Sequence, residues 1–276
     1  MAKLKGQTIA VTGGNSGIGF ETCKVLAERG AHVILMGRDE HRCLRAAEQI
    51  NGHVKIVVCD LADFASVRRA VERIDKLHVL INNAGMHSSQ YKETVDGFEQ
   101  TLQVNHLGHY LLTSLLLPKM SSNDPRVINL SSRAHENSPT PDFDDLNLKT
   151  RYRGIRAYCQ SKLFNIWFTK TLDEKYPQVQ TNAVHPGVIA TGIFRNLPWI
   201  VRTPILKFFT KTPEEGAKTS IHLAADDIDV SGRYWRDEKP TNESKLAKDA
   251  ALARRFWDWS LKATGARWPT VEGANG

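Results

Sequence analysis

Short apolar runs alternate along the chain with longer stretches whose apolar side chains recur every three or four positions. The runs are rich in valine and isoleucine and are largely apolar on both faces. Such runs are typical of parallel strands that are covered on both sides. Strands are therefore predicted at residues 8–12, 32–36, 54–59, 77–81, 127–130, 179–184 and 232–235.

The longer stretches predict helices between those strands. Helical periodicity occurs at residues 20–27, 39–50, 63–74, 100–120, 155–175 and 242–264. The alternation predicts an α/β fold, a doubly wound Rossmann-type parallel sheet of about seven strands with helices on both faces and right-handed crossovers. Because the chain shows no internal repeat or linker, its 276 residues are expected to form a single domain.

A glycine-rich turn joins the first predicted strand to the first predicted helix. The sequence TGGNSGIG occupies residues 12–19. A strand, a glycine-rich turn and a helix N-terminus together form a cradle in which backbone N–H groups approach a pyrophosphate. The glycine spacing differs from the commonest dinucleotide fingerprint, so a purely structural turn is the alternative.

Tyr158 and Lys162 stand four residues apart in the sequence YCQSK. One helical turn carries both side chains to the same face. A nearby ammonium favours phenolate over phenol, and a free tyrosine loses its proton only near pH ~10. A tyrosine that transfers protons at neutral pH would therefore gain from such a lysine. The pair Ser131 and Ser132 lies upstream, at the end of an apolar run.

Taken together, these motifs resemble the short-chain dehydrogenase/reductase family. They occur in the family's order and extend to about Thr191. The sequences NHLGHYLLT, FDDLN and AYCQSKL resemble the retinol dehydrogenase branch, whose members reduce or oxidise retinoids, steroids and lipid-derived carbonyls. The matching positions are residues 12–19, Asp60, Leu61, residues 82–85, Asn105, Ser132, Tyr158, Lys162, residues 185–187 and Thr191.

The resemblance implies four catalytic residues. Tyr158 would be the general acid or base, and Lys162 would lower its pKa and bind the nicotinamide ribose. Ser132 would polarise the substrate oxygen. Asn105 would kink a long helix and anchor a water that relays protons to the lysine. Ser132 is preferred to Ser131 as the second serine of the pair, since neighbours at a strand end face opposite ways.

Three further features of the sequence lie close to the predicted catalytic residues. Residues 136–153 resemble an insertion of the retinol dehydrogenase branch. Tyr152 is a competing tyrosine, but no lysine follows it one turn ahead. Cys159 could be a reactive thiol, although a small buried helix residue is the preferred interpretation.

The end of the second predicted strand indicates which dinucleotide binds. NAD-selective enzymes usually carry a carboxylate there, which accepts from the ribose 2′-OH. Gly37 occupies this position and Arg38 follows, and a guanidinium can hold a 2′-phosphate bidentately. NADP(H) is therefore predicted, although Ser16 stands where many NADP enzymes of the family carry a second basic residue. Asp39 is interpreted as the N-cap of the next helix.

The resemblance also implies a full set of cofactor contacts. Asp60 and Leu61 would border the adenine, and Asn83 and Ala84 the adjoining ribose. Residues 1–125 would mainly bind the dinucleotide, and residues 126–276 would supply the catalytic residues and a lid over the substrate. The predicted cofactor-binding residues are Gly13, Asn15, Ser16, Gly17, Ile18, Gly19, Arg38, Asp60, Leu61, Asn83, Ala84, Gly85, Tyr158, Lys162, Pro186, Gly187, Val188 and Thr191.

Composition argues against several other classes. The net charge is +7, but no lysine- and arginine-rich block interleaved with aromatics occurs, so no nucleic-acid partner is expected. The four cysteines lack CxxC and zinc-finger spacing, which fits a reduced, cytoplasmic protein. His106 and His109 lack a third ligand at suitable spacing, so no metal is expected. Neither a membrane-spanning run nor a signal peptide is expected.

Residues 193–211 indicate the substrate class. They interleave apolar and aromatic side chains with cations. In the family this segment is a mobile lid, and its composition favours a bulky lipophilic substrate such as a retinoid or steroid. It could also make peripheral contact with an anionic membrane, or simply pack on the core. A homodimer through helices 100–120 and 155–175 is a further expectation from the family.

The sequence thus predicts an NADP(H)-dependent oxidoreductase that interconverts a lipophilic carbonyl and its alcohol by hydride transfer. One alternative is a double-bond reductase like the related protochlorophyllide reductases. Another is an NADPH-binding redox-sensing module that regulates a partner. The presence of Ser132, Tyr158 and Lys162 argues against the sensing module.

Overall fold

The computed structural model describes residues 4–121, 123–187 and 211–270. The strands in these ranges form one sheet, in which seven strands are parallel and the last is antiparallel. They are β1 (Thr8–Thr12), β2 (His32–Gly37), β3 (His53–Val58), β4 (Val79–Asn82), β5 (Arg126–Leu130), β6 (Gln180–His185), β7 (Tyr234–Arg236) and β8 (Lys239–Thr241). Their order across the sheet is β3-β2-β1-β4-β5-β6-β7-β8.

Helices cover both faces of the sheet, as the alternating pattern predicts. They are α1 (Gly17–Glu28), α2 (Glu40–Ala47), α3 (Phe64–Glu72), α4 (Gln100–Leu102), α5 (Gly108–Leu116), α6 (Gly154–Lys175), α7 (Pro213–Ala225) and α8 (Ala250–Thr264). Buried side chains of α1, α2 and α7 pack on one face, and those of α3, α5, α6 and α8 pack on the other. The predicted doubly wound α/β fold is confirmed.

The sheet reverses its strand order at β1, which pairs with β2 on one side and with β4 on the other. In open parallel sheets, ligands bind beyond the carboxyl ends of the strands at such a switch point. The glycine-rich turn follows β1, residues 83–85 follow β4, and the serine pair follows β5. The topology therefore gathers most of the predicted site residues at one edge of the sheet.

Helix α6, which carries the YCQSK sequence, is buried along most of its length. Helix α8 covers it with aromatic side chains. The rings of Phe164 and Phe256 stack with centroids 3.9 Å apart, and those of Phe168 and Trp257 stack at 5.9 Å. Because α8 of the same chain occupies this face of α6, a homodimer, which stays a prediction, would need a different surface.

The structure differs from the predicted elements in four places. The helix predicted at 100–120 is divided by a π-helical turn, Gln103–Leu107. The helix predicted from residue 242 begins only at Ala250, because Asp249 caps its N-terminus by accepting from the N–H of Leu252. Strand β8 and helix α7 were not predicted, so the sheet has eight strands rather than about seven. Across the described residues, no helix is both long enough and apolar enough to cross a bilayer.

Candidate active site

The glycine-rich turn after β1 has a geometry that glycine alone satisfies well. Gly13 and Gly17 have φ angles of +66° and +55°. A Cβ on Gly19 would lie 2.3 Å from the carbonyl oxygen of Gly13. Ser16 is the N-cap of α1, but its side chain makes no capping hydrogen bond. The first N–H groups of α1 therefore lack a side-chain cap, which fits a turn where a ligand pyrophosphate takes that role.

Thr12, the last residue of β1, holds the segment that follows β4. Its Oγ1 accepts from the N–H groups of Asn83 and Ala84, both at 2.9 Å. The Nδ2 of Asn83 donates to the carbonyl oxygen of Thr12 at 2.6 Å. A Cβ on Gly85 would lie 3.3 Å from Nζ of Lys162. The NNAG segment therefore spans the space between the glycine-rich turn and the lysine.

His109 connects Thr12 to the π-helical turn. Its Nε2 lies 2.9 Å from Oγ1 of Thr12, and its Nδ1 lies 3.1 Å from the carbonyl oxygen of Asn105. A carbonyl can only accept, so Nδ1 carries the hydrogen and Nε2 accepts from the threonine hydroxyl. Burial lowers the pKa of His109 to about 4, which keeps the ring neutral at pH 7. One buried, neutral imidazole thus joins the end of β1 to the π-helical turn.

Asn105 lies within the π-helical turn, where the sequence predicted a kink. Its Nδ2 donates to the carbonyl oxygen of Met86 and to Oγ of Ser161, both at 2.9 Å. Its Oδ1 accepts from the N–H of Met86 at 2.7 Å. Ser161 donates in turn to the carbonyl oxygen of Tyr158 at 2.8 Å. The Asn105 side chain therefore ties the NNAG segment to α6, and its predicted water-anchoring role stays a prediction.

Tyr158 and Lys162 lie on one face of α6, as their spacing predicts. Nζ of Lys162 is 5.5 Å from the centroid of the Tyr158 ring. The ammonium donates to the carbonyl oxygen of Leu130 at 3.1 Å, and Nδ2 of Asn165 donates to the same oxygen at 2.9 Å. Leu130 is the last residue of β5. The lysine is therefore fixed at the carboxyl end of the sheet.

The two serines after β5 have different surroundings. Ser131 is buried, and its Oγ donates to the carbonyl oxygen of Lys162 at 2.7 Å. Ser132 is the N-cap of a short 3₁₀ turn, where its Oγ accepts from the N–H of Ala134 at 3.2 Å. The Ser132 hydroxyl also lies near Tyr158 and acts to lower the pKa of its phenol. The structure thus brings Ser132 to the tyrosine, and Ser131 supports the backbone of α6.

Burial dominates the acid–base properties of the pair. Burial raises the pKa of Tyr158 to about 12, and the nearby Ser132 hydroxyl acts in the opposite direction. Burial lowers the pKa of Lys162 to about 8. The predicted lowering of the Tyr158 pKa by Lys162 is not seen: desolvation is the main cause of the shift, and the ammonium is directed at the Leu130 carbonyl. At neutral pH the phenol is protonated, and most of the lysine is charged.

His87 comes two residues after the NNAG segment and lies beside Tyr158. Its ring meets that of Tyr158 edge-on, with centroids 6.1 Å apart. The side chain is half-buried, and burial lowers its pKa. No role was predicted for His87 from the sequence. Its position beside the tyrosine makes it part of the wall of the site.

The segment after β6 approaches the serine pair from the other side. Nδ1 of His185 accepts from the N–H groups of Arg133 and Gly187, both at 3.4 Å. Gly187 has a φ of +94°, and it follows Pro186. Two of the predicted cofactor-binding residues, Pro186 and Gly187, therefore lie close to the serine pair. Val188, Thr191 and residues 193–210 of the predicted lid and membrane segment lie outside the described residues.

The nucleotide end of the site lies beyond β2 and β3. A Cβ on Gly37 would lie 2.6 Å from Sγ of Cys43, so the end of β2 has no room for a side chain. Arg38 follows and is exposed. Asp39 caps α2 by accepting from a backbone N–H, as predicted. Beyond β3, Oδ1 of Asp60 accepts from the N–H of Ala62 at 2.9 Å.

Other polar groups near the site hold the structure together. The hydroxyl of Tyr152 lies 2.9 Å from the carbonyl oxygen of Ser88 and 3.1 Å from a carboxylate oxygen of Glu99. It therefore fastens the end of the 136–153 insertion. His106 contacts Oγ of Ser260 at 3.1 Å, whereas His109 contacts Thr12. Cys159 is buried, and burial raises the pKa of its thiol.

Sequence reasoning did not assign site contacts to several residues. Thr12, His109 and Ser161 are buried polar side chains, which need hydrogen-bond partners, and this need is the signal that could have identified them; His87 is only half-buried and carried no such signal. The partners lie mostly far away in the sequence, so burial alone would not have shown what these residues contact. The residues are Thr12, His87, His109 and Ser161.

Comparison with known proteins supports a common family. A family model described as short chain dehydrogenase matches residues 7–199. Human "Retinol dehydrogenase 12" is 41% identical over 96% of this chain and 89% of its own length. Human "Retinol dehydrogenase 13" is 41% identical over 98% of this chain and 88% of its own length.

Two solved structures share this fold over most of the chain. A putative uncharacterized protein from Mycobacterium Paratuberculosis superposes with a TM-score of 0.83 at 35% identity, covering 96% of both chains. The Pseudomonas aeruginosa "RhlG/NADP active-site complex" gives a TM-score of 0.68 at 25% identity, covering 84% of this chain and 94% of that one.

Proposed function

Because this chain belongs to the short-chain dehydrogenase/reductase family and its relatives include retinol dehydrogenases, we propose that it is an NADP(H)-dependent oxidoreductase that interconverts a lipophilic carbonyl compound and its alcohol. The observation that carries the proposal is the convergence of Ser132, Tyr158 and Lys162 beside the glycine-rich turn. A buried phenol, a hydroxyl beside it and a fixed ammonium are the groups that proton transfer to a carbonyl oxygen requires.

Each residue has a separate task in this proposal. The nicotinamide ring supplies or accepts the hydride when the cofactor is bound. Tyr158, protonated at neutral pH, donates its proton to the carbonyl oxygen during reduction and regains one from solvent afterwards. In the oxidation direction its phenolate accepts the proton of the alcohol. Ser132 hydrogen-bonds the same oxygen and stabilises its developing negative charge. Lys162, whose Nζ is held on the Leu130 carbonyl next to Gly85, would bind the ribose of the nicotinamide when the cofactor is present.

Two observations support a lipophilic substrate. The relatives that align over nearly the whole chain are named for retinol, a lipophilic alcohol. Residues 193–211, where the family places its substrate lid, are rich in apolar and aromatic side chains. A pocket walled by such side chains binds apolar ligands, with a few polar groups fixing their orientation.

The proposed preference for NADP(H) depends first on Arg38. Replacing Arg38 by aspartate is expected to weaken NADPH binding by about 100-fold or more, because a bidentate phosphate contact is lost and a repulsive charge is added. Binding of NADH should change much less, since NADH carries a hydroxyl at the same position. Dissociation constants measured by dinucleotide fluorescence test this, and equal losses for both cofactors would refute the assignment.

A cofactor-consumption screen tests the overall function. Purified protein is supplied with NADPH or NADH and with retinaldehydes, ketosteroids and fatty aldehydes. Turnover of at least one class, faster with NADPH, is expected. An absence of turnover across the panel with intact NADPH binding would favour a sensing module, and turnover that needs visible light would favour a double-bond reductase.

A further inference from the structure

The turn between β7 and β8 has a backbone conformation that its two residues do not favour. Arg236 pairs with Lys239 across the hairpin, so only Asp237 and Glu238 lie between the strands. Their φ angles are +53° and +60°. A two-residue turn in which both φ angles are positive is a type I′ turn, and Asn-Gly is its preferred sequence. The two acidic residues therefore hold this turn at a cost in stability, and such a cost points to a role other than folding.

Two contacts hold the strained turn in place. The N–H of Glu238 donates to Oγ1 of Thr219, in α7, at 3.1 Å. The Asp237 carboxylate accepts from Nζ of Lys211 through Oδ1, and its Oδ2 lies 3.8 Å from Nε of Arg236. The hydrogen bond from Lys211 is the main cause that keeps the pKa of the Asp237 carboxyl below its ordinary value. The turn thus presents a charged carboxylate to Lys211.

The lysine of this ion pair lies over the segment that follows β6. A Cβ on Gly187 would lie 2.6 Å from Cδ and 3.2 Å from Cε of Lys211, so the lysine stem lies directly against the Gly187 backbone. Gly187 has a φ of +94°, and its N–H donates to Nδ1 of His185 at 3.4 Å. The same Nδ1 accepts from the N–H of Arg133, beside the serine pair. The turn, the lysine and the segment after β6 therefore form one connected group of contacts at the edge of the site.

We propose that Lys211 and Asp237 are a positioning pair that holds the backbone of Pro186 and Gly187 in the conformation that receives the dinucleotide, an inference that rests on the proposed function. Asp237 fixes the ammonium, and the stem of Lys211 is thereby kept over Gly187. Neither side chain needs to touch the cofactor. The strained turn is then explained by where it places the carboxylate. Because both side chains are partly exposed, loss of the pair should change dinucleotide affinity by about fivefold.

Stability and affinity should change in opposite directions when the turn receives its preferred sequence. The double variant Asp237→Asn/Glu238→Gly has an Asn-Gly turn, so its melting temperature should rise by about 2 °C or more. Its dinucleotide affinity should nevertheless fall about fivefold, because an amide cannot replace the carboxylate of the ion pair. Scanning calorimetry measures the first effect. Fluorescence titration measures the second, with NADPH or NADH, whichever the wild type binds more tightly.

Single variants separate the charge from the backbone of the turn. Glu238→Gly relieves strain and keeps the ion pair, so it should be more stable than the wild type with unchanged affinity. Asp237→Asn should show the fivefold loss, with a melting temperature within about 2 °C of the wild type. Lys211→Met keeps most of the apolar stem and loses the charge, so it should match Asp237→Asn, and combining the two should add no further loss. Lys211→Arg keeps the ion pair and should bind nearly as the wild type does.

The fragment 5′-AMP locates the effect within the site. It lacks the nicotinamide half of the dinucleotide, and its proposed binding region lies beyond β2. Four strand spacings separate β2 from β6 in the sheet, a distance of about 19 Å. All of these variants should therefore bind 5′-AMP as the wild type does, as measured by calorimetry.

The outcomes distinguish this inference from the function on which it rests. If the wild type binds neither NADPH nor NADH, the proposed function fails and this inference fails with it. If the wild type binds a dinucleotide, and Asp237→Asn and Lys211→Met bind it equally well, the proposed function stands and the positioning pair is refuted. An equal loss for 5′-AMP, or the same loss in Glu238→Gly, would also refute the pair.

Discussion

Turnover of a carbonyl substrate is expected to fall by about 10²- to 10⁴-fold when Tyr158 is replaced by phenylalanine, the range that general acid–base catalysis contributes. Phenylalanine keeps the buried ring and removes only the hydroxyl that lies near Ser132. Cofactor affinity should stay close to that of the wild type, because Lys162 is held by the Leu130 carbonyl and not by the phenol. Single-turnover rates and NADPH dissociation constants measure the two effects separately.

Tyr152 provides the matched control for this experiment. Its hydroxyl contacts Ser88 and Glu99, outside the proposed site. Tyr152→Phe should cost about 1 kcal/mol of unfolding free energy for the lost hydrogen bond and leave turnover largely intact. If both variants lose turnover equally, or if Tyr158→Phe keeps wild-type turnover, the role assigned to Tyr158 is wrong.

The acid–base properties of the site favour proton donation. The pKa of Tyr158 is raised to about 12, so the phenol is protonated throughout the physiological range. The pKa of Lys162 is lowered to about 8, so its charge is lost only as the pH rises through that value. Below pH 8 the site therefore presents a neutral phenol near an ammonium, which is the protonation state that carbonyl reduction requires.

Most of the fold could be predicted because buried parallel strands leave a clear sequence signal. The apolar runs placed β1 through β6 within about two residues, since apolar side chains on both faces are incompatible with a solvent-exposed loop. Strand β8 escaped prediction because residues 239–241 are short, polar and at the edge of the sheet. A capping box between Thr212 and Glu215 marks the start of helix α7, but no helix was predicted there.

In the candidate site, only contacts between residues of one short motif could be predicted from the sequence. The four-residue spacing places Tyr158 and Lys162 on one face of a helix. The position of Ser132 just after a strand places it at the carboxyl edge of the sheet. By contrast, His109 meets Thr12 across 97 positions of sequence, and no local pattern encodes that contact. The pKa of Tyr158 could not be read from its lysine neighbour, because it depends on burial by the folded chain.

Affinity for the dinucleotide is expected to fall by about 100-fold or more in Gly19→Ala, because a displacement of about 1 Å in a binding element can cost that much. The added Cβ would lie 2.3 Å from the carbonyl oxygen of Gly13 and 2.5 Å from Nδ2 of Asn83. A carbonyl in a tight turn cannot rotate away like a flexible side chain, so the turn itself must open. Overpacking of this kind should also lower the unfolding free energy by about 1–3 kcal/mol.

Gly265→Ala separates the loss of affinity from a general loss of stability. Gly265 ends α8 with a φ of +58°, and a Cβ there would meet no atom within 4 Å. Alanine in this left-handed conformation should cost about 1–2 kcal/mol of unfolding free energy, comparable with Gly19→Ala, while NADPH affinity stays unchanged. Urea unfolding and fluorescence titration of both variants give the two quantities. If Gly19→Ala binds NADPH as tightly as Gly265→Ala, the backbone of the glycine-rich turn is not where the pyrophosphate binds.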